Sequence, residues 1–228
     1  MGPKTIGQPA EGYRRKYQDP HSAAEYHASQ QAPRKRKEFL RKGRLVGWLV
    51  ALAERRAISR LVRETGTSGL VLDVPCGGGK LNPVWNRRSR VLGVDSSRSM
   101  LQHFLSNGGL EALQGDIGSL PLKDFSAELV ICNRLLHRVP PERRAEILGE
   151  LRRVSSKWAV LYYAVFHQGR GWIVRVNRRL ALADPTDVFL CTTKDARNEI
   201  RKSGWQIRLE RSILIGVAAG HVFLVERA

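Results

Sequence analysis

The stretch Leu70-Val71-Leu72-Asp73-Val74-Pro75-Cys76-Gly77-Gly78-Gly79 decides how the chain is read. A short apolar run ends on a carboxylate and passes at once into three glycines. Such a continuous run fits a strand buried on both faces, because it lacks the polar alternation of a half-exposed one. Glycine has no side chain to hold a ligand away, so the backbone that follows the strand is able to approach one closely. Taken alone, the glycines fit an ordinary tight turn equally well. A phosphate-cradling Walker loop fits poorly: Gly79-Lys80 is followed by Leu81, not by Ser or Thr, and the leading glycine would fall on Val74. A dinucleotide loop is a closer rival, but Asp73 would place negative charge beside a pyrophosphate. A cationic, amine-bearing ligand suits Asp73 better.

The next two strand ends narrow the choice. Asp95 stands 22 residues after Asp73, close to the separation of about 20 at which an acidic side chain accepts hydrogen bonds from ribose hydroxyls in such folds. Gly115-Asp116-Ile117 then ends a third run and sets another carboxylate where an adenine amino group would lie. Three acidic strand ends in register restrict the ligand more than the glycines do.

Outward from this stretch, strand patterns at 70–74, 91–95, 110–114, 129–133 and 158–164 alternate with helical ones, the clearest being 141–154 with proline in its first turn. That alternation predicts an α/β fold, a mostly parallel sheet wound in both directions with helices on both faces. A helix over 193–203 precedes strands at 205–214 and 221–226. The short link between those two strands requires them to pair antiparallel. The expected fold is therefore Rossmann-like and seven-stranded, with an antiparallel last strand and an N-terminal helical extension.

Residues 1–36 are rich in Gly, Pro, Gln and charge and are expected to be mobile. Residues 37–65 carry Leu45, Trp48, Leu49, Leu52, Ile58, Leu61 and Val62 at helical spacing with arginines between, which predicts a basic amphipathic helix packed on the core. The ligand-binding domain then runs over 66–228. Within it, 169–182 reads as an inserted amphipathic helix with Trp172 among arginines.

With 39 Lys and Arg against 21 Asp and Glu, the net charge is +18, which points to phosphate-bearing or otherwise anionic partners. Cys76, Cys132 and Cys191 have neither the spacing of a zinc site nor that of a disulfide framework, so no metal is expected and a reducing cytoplasm is the natural setting. No apolar run reaches the length of about 20 residues that a membrane span requires.

On Asp73-x-Pro75-x-Gly77-x-Gly79, Asp95 and Asp116-Ile117, and on the reversed final strand pair, the chain resembles the class I S-adenosylmethionine-dependent methyltransferases of the small-molecule methyltransferase-domain type, over roughly residues 66–165. Pro75 departs from the commonest loop and matches a known variant of it. The resemblance implies S-adenosylmethionine as cofactor. Its methionine portion would lie against Asp73, Pro75, Gly77 and Gly79, its ribose on Asp95 with Ser96 beside it, and its adenine near Met100, Asp116 and Ile117. Asn133, at the end of the fourth strand, would lie beside the transferable methyl group. Tyr17, in a segment that resembles an opening found in relatives, would belong to a lid over the cofactor.

The acceptor is less legible. Methyl transfer needs a general base only when the acceptor carries a proton to lose, and His137 is the candidate by intrinsic pKa and position. Tyr17, Arg134, Tyr162, His167 and Trp172 are candidates for acceptor contacts. The arginine content points to an anionic small-molecule or lipid-linked acceptor. An RNA acceptor is the alternative, as is a non-catalytic protein of this fold docking on RNA or a ribonucleoprotein; no recognisable RNA-binding module is present.

Overall fold

The computed structural model describes residues 39–85, 90–165, 189–215 and 218–228. Helix α1 (Phe39–Thr65) leads into strand β1 (Leu70–Asp73), followed by a 3-10 turn at Asn82–Val84. Then come β2 (Arg90–Asp95), α2 (Arg98–Ser106), β3 (Glu111–Gln114) and β4 (Ala127–Cys132). A second 3-10 turn at Leu136–Arg138 precedes α3 (Pro141–Val154) and β5 (Ser155–Ala164). The chain closes with α4 (Thr193–Lys202), β6 (Trp205–Ile215) and β7 (Ala218–Arg227).

The strands form one sheet in the order β3-β2-β1-β4-β5-β7-β6. Every neighbouring pair from β3 to β5 is parallel, and β7 runs antiparallel to both β5 and β6. This is the Rossmann-like arrangement expected from the alternation and from the short final link. Among the described residues between the glycine loop and β2, the helical structure is one 3-10 turn, Asn82–Val84, with Pro83 in its first turn, where the missing N–H is not needed.

Strand alternation puts one core on each face of the sheet. On one face, Leu72, Val130, Ala159, Leu161, Phe223 and Val225 pack with Ile147, Leu148 and Leu151 of α3 and with Ala196 and Ile200 of α4. Trp205 joins them, and its indole N–H donates to the Leu148 carbonyl at 3.3 Å. On the other face Val71, Leu129, Ile131, Val160, Val222 and Leu224 meet Ile58 and Leu61 of α1. Those two side chains are fully buried, and each contributes about 1.5–3 kcal/mol of hydrophobic stabilisation. Trp48 and Leu49, roughly two and a half to three and a half turns earlier, are exposed. Among the described side chains of α1, the stripe meets the core from Ala53 onward. The capping box that opens α4, Thr192 with Asp195, satisfies its first backbone donors.

The parallel register brings Asp73 beside Gly93 and Ile131, and Asp95 beside Gln114. The carboxyl ends of β1 to β4 thus form one rim, where ligands of open α/β sheets bind.

Candidate functional site

The loop after β1 folds back over the end of β2. The N–H of Cys76 donates to the Val94 carbonyl at 2.9 Å, and the N–H of Gly77 donates to the Asp95 carboxylate at 2.9 Å. Gly77 and Gly79 both have positive φ, +50° and +80°, which side chains rarely tolerate. A Cβ on Gly79 would also stand 2.5 Å from the Asn82 amide. That amide is fixed by bonds to the carbonyls of Phe104 and Asn107.

Behind this loop lies a cavity of about 200 Å³. Asp73, Pro75 and Gly77 line it from β1 and its loop, and Asp95, Ser96 and Met100 line it from the β2–α2 junction. Asp116 and Ile117 follow β3; Asn133 and Arg134 follow β4. Of the residues expected at a cofactor, Gly79 alone is outside the lining, and its part is to shape the turn against Asn82.

The carboxylates differ in their surroundings. Both oxygens of Asp73 are buried and have no hydrogen-bond partner among the described residues. Burial, and then the charge of Asp95, raise its pKa well above the ordinary carboxylate value. Asp95 is raised by burial too, but amide donors oppose the shift: one oxygen accepts from Gly77, the other from Ser97 at 2.9 Å. Asp116 accepts the Gly118 N–H at 2.9 Å, which closes the turn after β3.

At the end of β4 two residues are held by a third that the sequence reading missed. Glu54, on α1 and 4% exposed, accepts the Asn133 amide N–H at 2.8 Å. It also accepts Arg134 Nε and Nη2 at 2.9 and 2.7 Å, a two-pronged ion pair. Arg134 adopts a left-handed backbone, φ +57°. The Oδ1 of Asn133 is buried without a partner among the described residues. The only sequence signal for Glu54 is an acidic side chain on a helix stripe otherwise basic and apolar.

His137 sits behind the cavity rather than in its lining. It is buried against Tyr162, ring centroids 5.7 Å apart in an edge-on contact, and its Nδ1 is among the unpartnered buried atoms. Burial, and then Arg138, Arg134 and Arg144, lower its pKa to about 3. The Tyr162 hydroxyl is pushed up to about 12, chiefly by burial. Lys80, Arg138 and Arg143 line the cavity as well; the two arginines do not stand out in sequence because arginine is spread along the whole chain. Cys76 and Cys132 are free thiols, and burial followed by the charge of Asp73 shifts both strongly toward the protonated form. Neither is poised as a nucleophile. Tyr17, His167, Trp172, the segment 1–36 and the expected insertion 169–182 lie outside the described residues. Among the described residues no cluster of His, Cys, Asp and Glu could hold a metal, and no helix is long and apolar enough to cross a membrane.

Residues 71–157 match the family model described as a methyltransferase domain. No curated protein matches the chain. Among solved structures, the chain is similar to the magnesium protoporphyrin IX methyltransferase of Synechocystis PCC 6803 with bound S-adenosylhomocysteine. The TM-score is 0.73 at 16% identity, covering 96% of this chain and 100% of that one. The same enzyme with bound S-adenosylmethionine gives 0.70 at 15% identity, over 99% and 100% of the two chains. An S-adenosylmethionine-dependent methyltransferase of Methanosarcina mazei gives 0.58 at 17% identity, over 70% and 92%.

Proposed function

We propose that this chain, which carries a class I S-adenosylmethionine-dependent methyltransferase domain, holds its methyl donor in the cavity at the strand ends and transfers the methyl group to an anionic small-molecule or lipid-linked acceptor. The observation that carries the donor placement is Asp73, whose two oxygens are buried and unpartnered among the described residues. A buried carboxylate without hydrogen bonds is costly, and an amine-bearing ligand relieves that cost. The donor has such an amine on its methionine portion. In this reading Asp95 and Ser96 hold the ribose hydroxyls, and Asp116, Ile117 and Met100 the adenine; all five line the cavity. The backbone at Pro75 and Gly77 comes close because no bulky side chain intervenes at the glycine.

The bound donor supplies a methyl group on a sulfonium, passed to the acceptor by in-line displacement. Positioning and exclusion of water contribute much of the acceleration of such a step. The residues after β4, Asn133 and Arg134, form the wall where that alignment would be set. His137 is the residue we assign to receive an acceptor proton. Its lowered pKa keeps it neutral at physiological pH but makes it a weak base, and the charge of an anionic acceptor beside it would raise its basicity. Tyr162 packs against it and would face the acceptor, together with Tyr17, His167 and Trp172.

Two observations support an anionic acceptor: the net charge is +18, and Lys80, Arg134, Arg138 and Arg143 stand on the cavity wall. For small size, the support is that the similar Synechocystis enzyme is a magnesium protoporphyrin IX methyltransferase. The test is transfer of tritiated methyl groups into fractionated cell extract. Label in acidic small molecules or lipids is the expected result. Label in RNA would replace the acceptor class, and binding of donor with no transfer in any fraction would favour a non-catalytic docking protein.

A further inference from the structure

We propose that Glu54 is a positioning residue for the amino-acid portion of the methyl donor, acting by locking the side-chain amide of Asn133 in one orientation. The inference rests on the donor placement proposed above. Glu54 lies on α1, outside the segment that matches the methyltransferase-domain model, so no motif of that domain draws attention to it.

A side-chain amide has a donor end and an acceptor end, and rotation by half a turn exchanges them. Which end faces the cavity at Asn133 therefore depends on its neighbour. Glu54 settles this, because an ionised carboxylate only accepts. It takes the Nδ2 end at 2.8 Å, which directs Oδ1 away from Glu54, buried and without a partner among the described residues. Asp73 stands beside Ile131 in the sheet, so the rim residue Asn133 follows close on the strand neighbouring Asp73. Both line the same cavity. Three buried acceptor oxygens, two from Asp73 and one from Asn133, thus lack donors at one rim. An alkylammonium, with three N–H groups and no acceptor, is their chemical complement. The amino group of a methionine portion is such a group.

Arg134 is held by the same carboxylate. Its positive φ is uncommon for a residue with a side chain, and the two-pronged bond to Glu54 keeps the turn after β4 in that shape. Glutamine at position 54 would offer a donor as well as acceptors. Asn133 could then turn over and present its N–H groups to the ammonium, which would repel it.

The test compares two ligands by calorimetric titration of the full chain. S-adenosylmethionine carries the amino-acid portion; 5′-methylthioadenosine keeps the adenosine and the sulfur but lacks it. For Glu54→Gln the expected result is a loss of about tenfold or more in affinity for S-adenosylmethionine, with methylthioadenosine within about twofold of the wild type. Asn133→Ala leaves the Glu54–Arg134 pair in place and is expected to show the same selective loss, so it decides the matter even if Glu54→Gln does not fold. Equal loss of both ligands, or no loss of either, overturns the proposal. If the unaltered chain binds neither ligand, the donor placement itself fails, a result distinct from both.

Discussion

Asp95 ends β2, and one of its carboxylate oxygens accepts the backbone N–H of Gly77 at 2.9 Å, so the glycine loop after β1 is fastened to the neighbouring strand by a residue of the proposed ribose site. The second oxygen accepts from Ser97, whose hydroxyl caps α2. A single side chain thus ties together the loop, the strand and the next helix.

Replacing Asp95 with Ala removes these charged acceptors and the proposed ribose partner. Each hydrogen bond to a charged group is worth about 1.5–3 kcal/mol. Donor affinity is expected to fall by roughly tenfold to a hundredfold. Asp95→Asn keeps one acceptor and should fall less. Equilibrium dialysis with labelled S-adenosylmethionine checks the order.

Asp73 sets stability against binding. Its folded pKa is raised, by burial first and then by Asp95, so its contribution to stability is present below the unfolded value near 3.8 and is lost as pH rises through the folded pKa. At neutral pH, Asp73→Asn is expected to raise the melting temperature of the ligand-free chain. It should also shrink the further rise that the donor produces. Thermal melts with and without S-adenosylmethionine measure both. An unchanged ligand-induced rise would remove Asp73 from the donor site.

His137 makes the opposite contribution. Burial, then Arg138, Arg134 and Arg144, lower its pKa from 6.5 to about 3. The unfolded chain therefore binds the extra proton between those values, and the His137 contribution to stability is lost as pH falls from about 6.5 toward 3. His137→Gln is expected to flatten the melting temperature against pH across this window. A profile as steep as that of the original chain would mean that other groups dominate acid unfolding.

The difference between what was legible in sequence and what was not follows physical range. Asp73, Asp95 and Asp116 were readable because each ends an apolar run, and parallel strands bring such ends to one rim. The boundaries of α3 were readable from Pro141 and the stripe of Ile147, Leu148 and Leu151. Glu54 was not, because its meaning depends on α1 crossing the sheet face to reach a residue 79 positions away. Arginine content hid Arg138 and Arg143 for a different reason: when a residue type recurs everywhere, spacing cannot say which copies face a cavity. His137 was picked by its intrinsic pKa, whereas its buried position among arginines decides its protonation.

Gly79 offers a test of the loop that leaves every charged group in place. Its φ is +80°, and an added Cβ would meet the Asn82 amide at 2.5 Å. Because that amide is bonded to the carbonyls of Phe104 and Asn107, it cannot give way cheaply. Gly79→Ala is expected to cost about 1–3 kcal/mol of stability and to weaken donor binding through the displaced loop. Denaturant titration and dialysis together read both effects.

The central claim is that the rim formed by Asp73, Asp95 and Asp116 binds S-adenosylmethionine. Calorimetric titration of the full chain with that donor tests it most directly. Saturable one-to-one binding is expected, weakened when any of the three carboxylates is replaced by alanine. Absence of binding at millimolar donor, or binding indifferent to all three replacements, would contradict it.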